Sequence, residues 1–218
     1  LRGFWAAAPQ RKPIQQPPAP QLQKGPAYEK VSNPKSQIPN PKSDDWPTYR
    51  GDTLRSGSTT AKLPAALKNA WRAEIGGHIT PPVVAGGLVI VASIDTHRVI
   101  ALSADDGKQK WTYSAGGRVD SPPTIYNGLV LFGSVDGWVY CLSAADGQEV
   151  WRFRVAPRDR RTIALDQIES VWPVHGNILI EGGLAYAAAG RSSYLDGGIY
   201  MVALDPATGK KVHESIVR

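Results

Sequence analysis

Ala101-Leu102-Ser103-Ala104-Asp105-Asp106-Gly107-Lys108-Gln109-Lys110-Trp111 recurs forty residues later as Cys141-Leu142-Ser143-Ala144-Ala145-Asp146-Gly147-Gln148-Glu149-Val150-Trp151. Trp71 stands the same interval before Trp111, and Gly76-Gly77 stands forty before Gly116-Gly117. Thr80-Pro81-Pro82 is answered at forty-one by Ser121-Pro122-Pro123, a drift that one turn absorbs. A third copy, Ala203-Leu204-Asp205-Pro206-Ala207-Thr208-Gly209, begins sixty-two after the second. Self-similarity at such a period marks one supersecondary unit stacked on its neighbours, because a single unit cannot bury its own apolar faces.

The clearest unit divides into four short strands. Pro123-Thr124-Ile125-Tyr126 runs into Asn127-Gly128, a dipeptide suited to the positive φ angles of a tight hairpin. Leu129 to Gly133 returns, Asp136-Gly137 reverses the chain, and Trp138 to Leu142 forms the third strand. After Asp146-Gly147, Val150-Trp151-Arg152-Phe153-Arg154-Val155 alternates large apolar with charged side chains. Four strands of about five residues with short turns fill one propeller blade. The expected fold is therefore all-β, a partial propeller of about three four-stranded antiparallel blades. Trp71, Trp111 and Trp151 read as the flat side chains wedged between blades, each able to bury on the order of 150 to 250 Å². Gly107, Gly147 and Gly209 read as turn positions rather than a phosphate cradle, since no G-x-G-x-x-G lies between a strand and a helix.

Outward from the repeats, the composition of the 218 residues is uneven. Overall 42% are hydrophobic and 20% charged, and no apolar run approaches the roughly 18 to 20 residues of a membrane-spanning helix. Residues 1–43 hold seven Lys or Arg against one acid, Glu29, and half of the eighteen prolines. That segment carries +6, while residues 44–218 hold eighteen bases and eighteen acids and sum to zero. The basic balance thus belongs to the tail, and specific nucleic-acid binding by the folded part is not expected. Proline spacing and scarce large apolar residues make residues 1–43 a disordered linker, with weak, salt-sensitive contact to an anionic surface. Residues 44–218 form the blades. The chain opens at Leu1 rather than Met, and Leu1 to Ala8 is too short and too early-charged for a complete signal peptide, so it reads as a piece of something longer.

The A-L-x-x-x-x-G-x-x-x-W pattern at 101–111, repeated with Cys141 in its first place at 141–151, resembles the tryptophan-docking motif of pyrroloquinoline-quinone-like (PQQ-like) propellers, a superfamily spanning quinoprotein alcohol dehydrogenases and the assembly lipoprotein BamB. Asp45-Trp46-Pro47-Thr48-Tyr49-Arg50-Gly51-Asp52 resembles the opening segment of such bacterial propellers. Trp172-Pro173-Val174-His175-Gly176 and Gly190 to Gly198 are similar to large planctomycete-type members. The resemblance covers roughly residues 44–215. It implies an extracytoplasmic protein of the periplasm or envelope, either a non-enzymatic scaffold or a dehydrogenase holding PQQ and calcium. The third copy puts His213 where Trp is expected. The enzymes' vicinal disulfide is impossible here, because Cys141 is the single cysteine.

The third unit carries about twenty-two extra residues, split between 158–169 and 190–198, and extra loops on a repetitive scaffold often carry function. Arg191, Ser192, Ser193 and Tyr194, with Trp172 and His175, are the candidate ligand residues, for an oxyanion or a sugar. A long hairpin whose arginine pairs with a neighbouring acid is the favoured alternative. Asp166 and Glu169 fall at i, i+3 on a possible helical face, too few carboxylates for a metal site. His78 and His97 lack metal-ligand spacing, no hydrolase elbow occurs, and Cys141 sits in an apolar strand where a thiolate is disfavoured. No catalytic, cofactor-binding or metal residue is assigned. The leading expectation is a non-catalytic scaffold docking a protein or envelope-surface partner, alongside further blades of the same full-length protein. The alternative is part of a PQQ-dependent oxidoreductase whose other blades supply the calcium and quinone site. With about three blades and open sheet faces, residues 44–218 alone are expected to be marginally stable or to aggregate, and a monodisperse, cooperatively unfolding monomer in light scattering and thermal melts would contradict that.

Overall fold

The computed structural model describes residues 20–31, 45–62 and 65–218. A short strand, β1 (Leu22–Lys24), and one helical turn, α1 (Tyr28–Val31), precede the repeats. The first blade is β2 (Val83–Ala85), β3 (Leu88–Ser93), β4 (Arg98–Ser103) and β5 (Gln109–Ser114), paired in that order. The second is β6 (Thr124–Tyr126), β7 (Leu129–Gly133), β8 (Trp138–Ser143) and β9 (Glu149–Arg154). A two-stranded hairpin follows, β10 (Arg161–Ala164) with β11 (Gln167–Ser170). The third blade is β12 (Leu179–Glu181), β13 (Leu184–Ala189), β14 (Ile199–Leu204) and β15 (Lys211–Val217). All pairings are antiparallel. Among the described residues no helix is long and apolar enough to cross a membrane.

Local sequence explains the repetition. Each blade's first hairpin turns on a pair with positive φ, Gly86-Gly87, Asn127-Gly128 and Gly182-Gly183, the backbone that matches the twist of the flanking strands. The third and fourth strands slip register at the same place in every blade, between Ala101 and Leu102, Cys141 and Leu142, and Ala203 and Leu204. A bulge there bends the strand and strengthens its twist.

The middle blade is apolar on both faces because both are covered. Val130, Phe132 and Tyr140 pack toward the first blade with Ile90, Val99 and Trp111. Leu129, Leu131, Val139 and Trp151 pack toward the third blade with Ile180, Ala187 and Leu204. The third blade is covered on one side alone, so β13 alternates buried and exposed and β15 is exposed throughout. Cys141 is fully buried in the second seam, and burial pushes its thiol pKa well up, which leaves it inert.

Two segments depart from the sequence expectation. Composition places residues 20–31 in a disordered linker, yet β1 adds a fifth strand to the second blade, with Leu22 opposite Phe153 and Lys24 opposite Trp151. The Arg154 amide donates to the Gln21 carbonyl at 2.8 Å, and the Gly25 amide to the Val150 carbonyl at 2.8 Å. Ala27 and Tyr28 are buried, and the Tyr28 hydroxyl reaches the Thr208 carbonyl of the third blade at 3.3 Å. The segment straps one seam, and the division at residue 43 therefore does not separate tail from blades. Residues 1–19 and 32–44, with the remaining linker and surface-contact expectation, lie outside the described residues.

The other departure is 161–170, where Asp166 and Glu169 share no helical face. Leu165 and Asp166 have φ of 50° and 59° and form a tight hairpin turn. Asp166 stands at the tip and Glu169 points back into the protein, 2% exposed.

Candidate functional site

One device repeats at each seam. The Trp71 indole N–H donates to the Ala104 carbonyl at 2.8 Å, Trp111 to Ala144 at 2.8 Å, and Trp151 to Pro206 at 2.9 Å. Each ring lies flat on the turn glycine of the next blade. A Cβ on Gly107, Gly147 or Gly209 would come within 2.5, 2.6 or 2.6 Å of the ring. The glycines thus serve twice, through φ of 67° to 70° and through the absent side chain. Residues around Trp71 form no strand, yet its ring docks in the same manner. His213 occupies the Trp111 and Trp151 register position, opposite Ala203, and is exposed.

This geometry separates two costs. Gly147→Ala is expected to lose roughly 2 to 4 kcal/mol, combining a left-handed backbone penalty with an overpacked contact. Gly183→Ala, at φ 78° with nothing within 4 Å of its Cβ, should lose only about 1 to 2 kcal/mol. Urea denaturation of both variants checks the difference, and equal losses would remove the seam contact.

The rim formed by the inter-blade loops carries the charge. The Val135 amide donates to the Arg118 carbonyl at 2.9 Å and the Ser170 amide to Val135 at 2.7 Å, which ties the hairpin base to the β7–β8 turn. Within this frame Glu169 lies between two guanidinium groups. Arg118 Nη2 is 2.6 Å from its Oε1, and Arg191 Nη2 holds its Oε2. Arg191 Nη1 also donates to the carbonyls of Ser170 and Val171, at 3.0 and 3.1 Å. Arg118 Nε donates to Asp120 at 3.0 Å, and His175 Nδ1 lies 3.1 Å from the same carboxylate. Burial works to raise the Asp120 pKa, but hydrogen bonds from His175 and Arg118 outweigh it and hold the group at about 2, below its ordinary 3.8.

A carboxyl held down in the folded state stabilises it above the ordinary pKa and ceases to as protons bind. The Asp120 contribution is accordingly complete above about pH 4 and lost between pH 4 and 2. Asp120→Asn is expected to flatten the acid limb of a stability–pH profile in that window, and an unchanged limb would contradict the assignment.

The six ligand candidates are not gathered on one binding face. Arg191 is the arginine paired with a neighbouring acid, and its guanidinium is spent on Glu169 and two carbonyls. Trp172 is 5% exposed, meets Tyr200 edge-on, and donates its N–H to the Asp196 carbonyl at 3.0 Å. It offers no stacking platform for a sugar. Tyr194 is 92% exposed, and the Ser192 hydroxyl accepts from its amide at 3.1 Å. Ser193 takes no part in the charged cluster. Sequence reading missed Arg118, Asp120 and Glu169 as one unit, since nothing in their spacing shows that they meet. Elsewhere, His78 pairs with Asp95 at 2.9 Å and His97 with Gln167 at 2.8 Å. Among the described residues no three His, Cys, Asp or Glu side chains gather as a metal site requires.

Docked tryptophans joining four-stranded blades define the class: this is a PQQ-like β-propeller repeat protein. The family model described as outer membrane protein assembly factor BamB matches residues 55–217, and the chain belongs to that family. A curated relative, outer membrane protein assembly factor BamB of Burkholderia pseudomallei (strain K96243), is 53% identical over 47 residues, 21% of this chain and 12% of that protein. Among solved structures, quinohemoprotein alcohol dehydrogenase from Comamonas testosteroni superposes with a TM-score of 0.64 at 19% identity, covering 87% of this chain and 30% of that one. BamB from Moraxella catarrhalis gives 0.54 at 22% identity, covering 67% and 43%. The chain thus spans well under two thirds of each of these relatives, and the two solved structures show the shared fold.

Proposed function

We propose that this chain is a non-catalytic propeller scaffold of the cell envelope, extracytoplasmic, that docks a protein partner. Membership of the BamB family supports the reading. The observation that carries it is the state of the insertion-bearing rim. Arg118, Asp120, Glu169, His175 and Arg191 are engaged with one another and with backbone carbonyls rather than converging on an open centre. Side chains so neutralised fix a shape. Glu169 and Asp120 also fit a calcium ion poorly, since their oxygens already face guanidinium groups, and we assign this chain no quinone or calcium site of its own.

Titration of the complete, full-length protein with PQQ and calcium, followed by dye-linked alcohol oxidation, separates this from the quinoprotein alternative. The scaffold reading expects no dye reduction above the cofactor-only rate. Saturable oxidation with either would overturn it.

A further inference from the structure

The first strands of the three blades share one backbone position. In β2, β6 and β12 the middle residue, Val84, Ile125 or Ile180, stands opposite Val89, Val130 or Ala185 and two residues before the turn pair. Along an antiparallel ladder, residues alternate between turning their amide and carbonyl toward the partner strand and turning them away. Val84 turns both away and exchanges two backbone bonds with Trp46, at 2.7 and 2.8 Å. Ile125 likewise donates its amide to the Pro47 carbonyl at 2.8 Å. Residues 46–48 therefore already lie as an extended chain across two of these edges, and the Thr48 hydroxyl meets that of Thr124 at 3.0 Å. The segment then turns away, the Gly51 amide donating to the Thr48 carbonyl at 3.0 Å. Among the described residues it makes no backbone bond to β12.

By the same register Ile180 directs its amide and carbonyl away from β13, and among the described residues neither has a partner. Beside that edge lies a groove of about 300 Å³, walled by β6, by β12 with its glycine turn, and by Pro47, Thr48 and Gly51 to Thr53. The Thr124 hydroxyl donates to the Ile178 carbonyl at 2.7 Å and fixes the spacing of the two strands. The lining carries two carboxylates, Asp52 and Glu181, and no cation. Among the described residues neither carboxylate is in an ion pair. Asp52 accepts from the Ser56 amide at 2.9 Å and from the Ser56 hydroxyl, neutral donors that leave its charge unbalanced. Arg50 and Arg55 are turned elsewhere, the first onto Gly57 and the second into a separate hollow on the open face of the third blade.

We infer that the free edge of β12 takes an extended basic segment of a protein partner, whose central residue exchanges two backbone bonds with Ile180 as Trp46 does with Val84. Backbone bonds of this kind give affinity, and the flanking side chains give specificity. The Trp46–Val84 bridge is antiparallel. In the same sense, the partner residue before the central one stands opposite Glu181 and the one after it opposite Leu179, both on one face. The central side chain shares the face of Ile180, which is packed into the seam at 9% exposure. The matching motif is accordingly a lysine or arginine, then a small residue, then an apolar one. This rests on the scaffold reading and names the kind of partner it docks.

NMR titration of the 15N-labelled 218-residue chain tests this, using the acetylated and amidated peptide threonine–lysine–alanine–valine–threonine. The Ile180 amide signal is expected to shift saturably. Replacing the peptide's lysine by glutamate, or N-methylating its alanine so that the bond to the Ile180 carbonyl cannot form, should each weaken binding at least tenfold. Glu181→Lys should weaken the unmodified peptide at least fivefold. Absence of a saturable shift at Ile180 would overturn the inference, as would indifference to N-methylation or to either charge change. Binding that appears only once residues 1–19 are deleted would give the edge to the chain's own basic tail, and would overturn it too. Dye reduction in the PQQ and calcium titration would overturn the scaffold reading whatever the peptide does, so the two fail separately.

Discussion

Trp151→Ala is expected to destabilise the chain by about 3 to 5 kcal/mol, the cost of emptying a large core site. The ring is fully buried between the second and third blades, and its N–H holds the Pro206 carbonyl at 2.9 Å. Removing it leaves a void over Gly209 and leaves the Pro206 carbonyl only the weak Cys141 thiol donor at 3.8 Å, and it withdraws the side chain opposite Lys24 where β1 is strapped on. Trp151→Phe, which keeps most of the volume and loses the hydrogen bond, should cost roughly 1 to 2 kcal/mol. Denaturant titrations measure both. A loss below about 1 kcal/mol for the alanine variant would mean the seam closes without the indole.

Glu169→Ala should be comparably severe, about 3 to 5 kcal/mol, for an electrostatic reason. The carboxylate is 2% exposed, and Arg118, itself 5% exposed, would be left facing Arg191 with nothing between them. Arg118 Nη1 is already buried without a hydrogen-bond acceptor among the described residues, so Asp120 alone would remain to balance the guanidinium. Replacing all three side chains together, as Arg118→Met, Glu169→Leu and Arg191→Met, is expected to recover most of the loss, because an apolar core of similar volume carries no desolvation cost. Failure of the triple change to recover stability would show that Glu169 acts through packing rather than charge.

The blades were legible because each of their signals is local. Asn127-Gly128 fixes a turn, the run Leu129 to Gly133 fixes a strand covered on both faces, and the forty-residue return of Trp and Gly fixes the joint. The strap at 20–31 was hidden because its hold on β9 is mostly through backbone amides and carbonyls, which leave no side-chain pattern, and its apolar content is little more than Leu22, Ala27 and Tyr28. The hairpin at 161–170 was hidden because Leu165-Asp166 supplies a turn that composition assigns to Gly or Asn, so its carboxylates read as helical neighbours. At the rim, the pairing of Arg191 with an acid was readable as a kind of contact. Its partner Glu169, shared with Arg118 fifty-one positions earlier, becomes identifiable only when the second and third blades are set side by side.

The central claim is that indole rings clamp each blade to the turn of the next. It is tested most directly by hydrogen exchange at the indole nitrogens, followed by 15N-labelled NMR in D2O with each signal assigned by a Trp→Phe change. The Trp111 and Trp151 protons, buried and bonded to Ala144 and Pro206, should persist long after an exposed indole has exchanged. Loss of both signals at the rate of a free tryptophan would contradict the account.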